Sequence, residues 1–158
     1  TETTLDLSVR TPHPYWEAPL EGLSAVTYAA GGTRTVGGGA RTPLALLCQS
    51  FPAGGGRLRV SDSTGVVGEL FAKGGTPFAV MPTPTGWQVL GLSGSTVLPA
   101  VNRSSILMLP GDAPDVLAPR FPVVKPGAVQ IEFAALNVAD AVTGSVTARV
   151  RRRFGLVL

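Results

Sequence analysis

Side-chain chemistry has few places to start in this sequence. His13 is the only histidine and Cys48 the only cysteine. A Ser-His-Asp or Cys-His arrangement needs His13, and a metal site normally gathers several His, Cys or carboxylate ligands. His13 stands between Pro12 and Pro14 and reads as an arm histidine bonded to water or backbone. Cys48 lies within the apolar run LALLCQSF. A reactive thiolate wants a basic, partly exposed setting, so Cys48 reads as a small buried hydrophobe. The ten carboxylates are scattered, with Asp112 and Asp115 the closest pair, in a proline-rich loop. A glycosidase draws its carboxylates from anywhere in a chain, but it also brings aromatic stacking residues, and only 6% of this chain is aromatic. Gly37–Gly39 and Gly54–Gly56 lack the following helix that a phosphate cradle requires and read as turns. Asn102-Arg103-Ser104 fits a glycosylation acceptor by chance. No catalytic residue, metal ligand or cofactor is expected, and the chain is not expected to be an enzyme.

Contact chemistry is better represented. Near the C-terminus, Val146, Ala148, Val150 and Phe154 alternate with Arg149, Arg151 and Arg153. In a strand the three arginines form one row at about 6.7 Å spacing. Like charges in a row must be solvated or matched, either at a protected edge or as a stripe that docks carboxylates of a neighbouring subunit or phosphates. Arg152 falls on the apolar side and needs a partner or a rim position. At the other end, Tyr15 and Trp16 sit among Pro12, Pro14 and Pro19 in a stiff amphipathic segment suited to docking on a partner or across the end of its own fold. Arg149, Arg151, Arg153, Tyr15 and Trp16 are the candidate partner-binding residues.

The elements that must position these residues are strands. Thr4 to Arg10 alternates cleanly, and Leu23 to Ala29 is a second strand candidate. Gly31 to Gly39 reads as a flexible tip or exposed loop. Leu44 to Phe51, bounded by Pro43 and Pro52, predicts a strand buried on both faces. Arg57 to Ala72 predicts a hairpin around Asp62-Ser-Thr-Gly65, where Asp bonds its own backbone and Gly accepts positive φ. Pro77 to Met81, Trp87 to Leu92 and Ser105 to Leu109 are further strands. Asp112 to Pro126 is a surface connection. Val129 to Val138 changes phase at Ala134-Ala135, which suggests a bulge, or else a short helix over Phe133 to Val142. Val146 to Phe154 closes the chain. The total is about eight to ten short strands with turn signals every 8–12 residues or so, an all-β antiparallel sandwich or barrel, jelly-roll-like, with at most one short helix. A parallel α/β sheet needs helical crossovers, and glycine and proline leave no segment long enough.

Composition bounds the rest. A chain of 158 residues with 44% hydrophobic and 15% charged residues suits one domain with a real core. We read residues 1–158 as that domain, with 1–22 a partly extended arm and 155–158 a tail. Twenty glycines and 14 prolines, without a period, fit many turns. A net charge of +3 is mild, and nucleic acid is not an expected partner. No apolar run approaches the ~18 residues that span a bilayer. One cysteine excludes an intrachain disulfide. The start at Thr1 suits a product whose initiator Met was removed, and the lack of an apolar leader favours an intracellular product or a particle assembled inside a cell. Eleven arginines stand against Lys73 and Lys125, and only two asparagines and three glutamines occur, a bias of hot or GC-rich sources.

In architecture and composition the whole chain resembles small viral capsid or capsid-decoration proteins with a single β-barrel domain, in particular those of phages of thermophilic bacteria. No short motif carries the resemblance, and no functional residue transfers by it. It implies a structural virion protein, assembled in the host cytoplasm, that builds or cements a shell through symmetric contacts with its own copies and other capsid proteins, without a cofactor. The alternative is a ligand- or carbohydrate-binding β-sandwich with Trp16, Trp87, Tyr15 and Tyr28 as stacking residues. An enzyme on a β-barrel scaffold is the third reading.

Overall fold

The computed structural model describes residues 15–155, with the side chains of Tyr15 and Trp16 outside that description. The expected strand Thr4–Arg10, His13 and the last three residues lie outside it as well. In chain order the strands are β1 (Tyr15–Glu17), β2 (Glu21–Gly22), β3 (Val26–Thr27), β4 (Gly32–Val36), β5 (Thr42–Cys48), β6 (Gly56–Asp62) and β7 (Gly65–Ala72). There follow β8 (Phe78–Thr83), β9 (Gly86–Ser93), β10 (Thr96–Asn102), β11 (Val123–Val124), β12 (Gly127–Ala135), β13 (Ser145–Val150) and β14 (Arg153–Gly155). Among these fourteen described segments nine reach five residues or more, and the only helical piece is a 3-10 turn at Ser104–Ile106. The protein is an all-β sandwich of antiparallel sheets.

The larger sheet runs β10-β9-β8-β5-β13-β2, with β3 also on β13 and β11 on β5. The smaller runs β4-β12-β6-β7, and β1 pairs with β14 in a separate ribbon. Strand β5 is the organiser. Leu46 lies opposite Ala148 of β13 on one side and Val80 of β8 on the other. Its inward residues Leu44, Leu46 and Cys48 join Val146, Ala148, Val150, Phe78 and Val80 in one core. Leu58, Val60, Leu70, Val129 and Ile131 of the smaller sheet meet them from the other side. Its outward Leu47 is also buried, packed with Ala79 and Leu92 in a second, smaller cluster. That double burial is why the segment reads as an unbroken apolar run.

Aromatic packing closes one end of the sandwich. Tyr28 stacks on Phe133 at 4.5 Å, and Phe51 meets Tyr28 edge-on at 5.3 Å. The Tyr28 hydroxyl donates to the carbonyl of Gln49 at 2.6 Å. The hairpin β6–β7 forms as expected. The Asp62 carboxylate accepts from the Thr64 and Lys125 N–H groups, each at 2.8 Å, and so ties the turn to the connection between β11 and β12. Burial works against ionisation of Asp62, but the bonds from Thr64 and Lys125, with Arg41 3.7 Å away, outweigh it and hold the carboxyl below its usual range. Edges are covered or blunted. Backbone bridges Glu69–Arg120 and Ala72–Leu107 lie along β7, and Pro99 sits in edge strand β10.

Several expectations are corrected. Gly31–Gly39 is no free loop, because Thr33 and Thr35 are β-branched, Val36 is buried, and β4 pairs with β12. The segment Leu23–Ala29 supplies only the short β3. Ser105–Leu109 is not a strand, since its start forms the 3-10 turn. Strand β10 was hidden by Pro99, and its pairing with β9 shifts register between Leu98 and Asn102. Neither a bulge nor a helix occurs at Ala134-Ala135, which pair regularly with Arg57 and Gly56. Ala134 turns to the outer face with Arg57, where the Ala113–Asp115 loop shares its cavity, and Ala135 turns to the opposite face.

Two measurements check this core. Phe78→Ala removes a fully buried ring and should lower the unfolding free energy by about 3–5 kcal/mol in urea denaturation. Burial pushes the Cys48 thiol and the Tyr28 phenol far above their ordinary ranges. The unfolded chain releases those protons from about pH 8.5 for Cys and about pH 10 for Tyr, while the folded chain keeps them. Their contribution is therefore complete below about pH 8.5 and shrinks as pH rises beyond it. Chemical denaturation at a series of alkaline pH values should show the decline, and Cys48 should react with a thiol reagent only on unfolding.

Candidate functional site

The C-terminal arginines are placed by a strand that stops and restarts. Strand β13 ends at Val150, and the buried Thr42 hydroxyl donates to the carbonyl of Arg151 at 2.6 Å. The Ala18 N–H then takes the carbonyl of Arg152 at 2.9 Å, and the N–H groups of Gly39 and Ala40 take that of Arg153 at 2.7 and 3.0 Å. Gly38 is required for this approach. Its φ is +109°, and a Cβ there would fall 2.7 Å from the Arg153 carbonyl oxygen. The expected continuous strand Val146–Phe154 is thus broken at Arg151–Arg152, because these neighbouring backbones take the ladder bonds. Phe154 is 43% exposed rather than part of the core.

The interruption leaves Arg149, Arg151 and Arg153 lining one cavity of about 300 Å³. Its floor is the outer face of the larger sheet, with Ala45 and Met81 beside Thr42 and Pro43. Pro82, Thr83 and Pro84 of the β8–β9 hairpin form one wall, and Glu17 and Leu20 form another. Two arginines are anchored. Arg149 donates to the carbonyl of Ser95 at 2.8 Å, and Arg153 pairs with Glu17 at 3.1 Å. The Arg151 side chain is exposed and has no hydrogen bond or ion pair among the described residues. Arg152 points away, to the rim, and pairs with Glu21 at 3.1 Å. The lining therefore holds three guanidinium groups against one carboxylate. A guanidinium fork binds a carboxylate or phosphate oxygen pair in two parallel hydrogen bonds.

Tyr15 and Trp16 belong to β1, whose backbone pairs with Gly155 and Phe154. The backbone of the N-terminal segment thus folds onto its own C-terminal strand, beside the cavity. Glu17 could not be matched to Arg153 from the sequence, because 136 positions separate them. The prolines of the β8–β9 hairpin were legible only as a turn. Of the aromatics proposed to stack on a sugar, Tyr28 is 2% exposed and Trp87 stacks on Phe121 at 5.2 Å. Both rings are committed to internal packing.

A second cavity, of about 450 Å³, lies over the outer face of the smaller sheet. Arg57, Phe71 and Ala134 line it with Ala113, Pro114 and Asp115. The Nε of Arg57 is buried with no hydrogen-bond partner among the described residues. Its neighbour Arg59 differs: two of its nitrogens reach the Glu69 carboxylate, each at 2.8 Å. Among the described residues no cluster of His, Cys, Asp and Glu is placed to hold a metal ion, and no helix is long and apolar enough to cross a membrane.

Fold and site together define an antiparallel β-sandwich carrying an arginine-lined cavity on the outer face of its larger sheet. Compared with known proteins, the chain matches no family model, no curated protein and no solved structure.

The two arginines of β6 give a paired prediction. Arg59→Met strands the Glu69 carboxylate, whose side chain is only 7% exposed, and should cost about 2–3 kcal/mol. Arg57→Met removes an unpartnered buried donor and should cost less than about 1 kcal/mol. Urea unfolding midpoints of the two variants check the ordering.

Proposed function

We propose that this protein is a structural subunit of a symmetric assembly, a virion shell or its decoration, whose output is contact with neighbouring subunits. The observation that carries the reading is the arginine-lined cavity. It combines charge with apolar surface from Leu20, Pro43, Met81 and Pro84, and its one carboxylate, Glu17, is paired with Arg153. The Thr42 hydroxyl is spent on a backbone carbonyl, and the described thiol and phenol nearest the core are held protonated by burial. Such a lining favours binding and orienting an anionic group. Exposed Leu109, Leu117 and Phe154 add apolar surface of the kind that interfaces use. A sugar-binding role has less support, since Tyr28 and Trp87 are occupied.

The test is the particle formed. Light scattering and sedimentation of the purified protein over a wide concentration range should reveal a closed oligomer larger than a dimer. Genes for a portal, a maturation protease or a terminase should flank its own. A monomer at every concentration, encoded within a metabolic operon, would defeat the proposal.

A further inference from the structure

Every described carboxylate but one is matched within the chain, and of the three arginines lining the cavity one, Arg151, has an unpartnered side chain. Glu17 and Glu21 pair with Arg153 and Arg152, and Glu69 with Arg59. Asp62, Asp112, Glu132 and Asp140 each accept a hydrogen bond. Asp115 is exposed and has neither among the described residues. It is also the one described non-glycine residue with positive φ, +65°. Asp tolerates this left-handed conformation, which here sets the carboxylate on an exposed loop. Leu109 and Leu117 on that loop are 55% and 59% exposed.

We propose that the Asp115 loop of one copy seats in the Arg149–Arg151–Arg153 cavity of a second copy. The inference rests on the assembly reading above and names the contact. Arg151 supplies the guanidinium for a two-bond pairing with the Asp115 carboxylate, and Arg149 the adjacent charge. Leu117 meets the apolar wall at Leu20, Pro43 and Pro84. Charge selects this occupant. The lining has an excess of three arginines over one glutamate, Glu17 is already paired with Arg153, and the loop brings one unpaired carboxylate with apolar neighbours. Asp115 cannot reach the cavity of its own chain. The cavity opens on the outer face of the larger sheet, and Asp115 lies with Arg57 and Phe71 over the outer face of the smaller one. The contact is therefore head-to-tail, the kind that closes into a ring or runs on as a filament.

Charge reversal tests it. The wild type, Arg151→Glu, Asp115→Lys and the double variant are compared by sedimentation velocity, with circular dichroism melts to establish that each is folded. Both positions are exposed, so the melts should coincide. Each single reversal should weaken association roughly tenfold to a hundredfold, and the double variant should recover most of the loss. If the wild type assembles and the single variants assemble equally well, or the double variant recovers nothing, the contact is wrong while the assembly reading stands. If the wild type is a monomer, both fall. If inorganic phosphate dissociates the wild type and Asp115→Lys has no effect, the cavity serves a small anion and the loop contact is overturned.

Discussion

Strand β5 is buried on both faces, and the rest of the molecule is arranged around that constraint. A strand in this position must be paired along both edges, because an orphaned backbone group in a dry interior costs as much as a lost hydrogen bond. Strands β13 and β8 meet that demand, with Leu46 held between Ala148 and Val80. The register then dictates the faces. Val146, Ala148 and Val150 turn inward, and the residues between them, Thr147 and Arg149, must turn outward. A slip of one residue would bury Arg149 in the sandwich, which is why the register is strongly specified.

The arginine cavity follows from the same constraint. Arg149 is forced onto the outer face by the inward set. Beyond Val150 the chain leaves the sheet, yet the Thr42 hydroxyl and the N–H groups of Ala18, Gly39 and Ala40 donate to its carbonyls and keep it extended, so alternation continues through the break. Arg151 and Arg153 therefore stay on the side of Arg149, and Arg152 goes to the rim. Three like charges are tolerated together because one is neutralised by Glu17, one donates to a carbonyl, and one stands in water.

Groups that are reactive in other settings are spent here on packing. Cys48 is enclosed in the core, and Tyr28 is stacked, buried and hydrogen-bonded to Gln49. Desolvation keeps both neutral, which stabilises the fold and removes them from nucleophilic chemistry. Surface features carry what remains: an amphipathic cavity on one outer face and an exposed, unpaired carboxylate over the other. A body with complementary features on opposite faces is suited to repeating contacts.

The sequence by itself determined the all-β class, the doubly buried strand at Leu44–Cys48, the hairpin around Asp62–Gly65 and the grouping of Arg149, Arg151 and Arg153 on one side. Each is a local matter, since side chains alternate with period two and Asp and Gly have local turn preferences. Local patterns failed where distant partners decided the outcome. Gly32–Val36 is a strand only because β12 lies beside it, Ser105–Leu109 turns through a 3-10 piece and meets β7 only at the Ala72–Leu107 bridge, and Ala134 faces a cavity that the Ala113–Asp115 loop shares. Tertiary structure alone put Glu17 against Arg153 and set the β8–β9 prolines as a wall. It also placed Asp115 on the face opposite the arginines. These are relations between residues far apart in the chain, settled by which sheets pack together, and no periodicity records them.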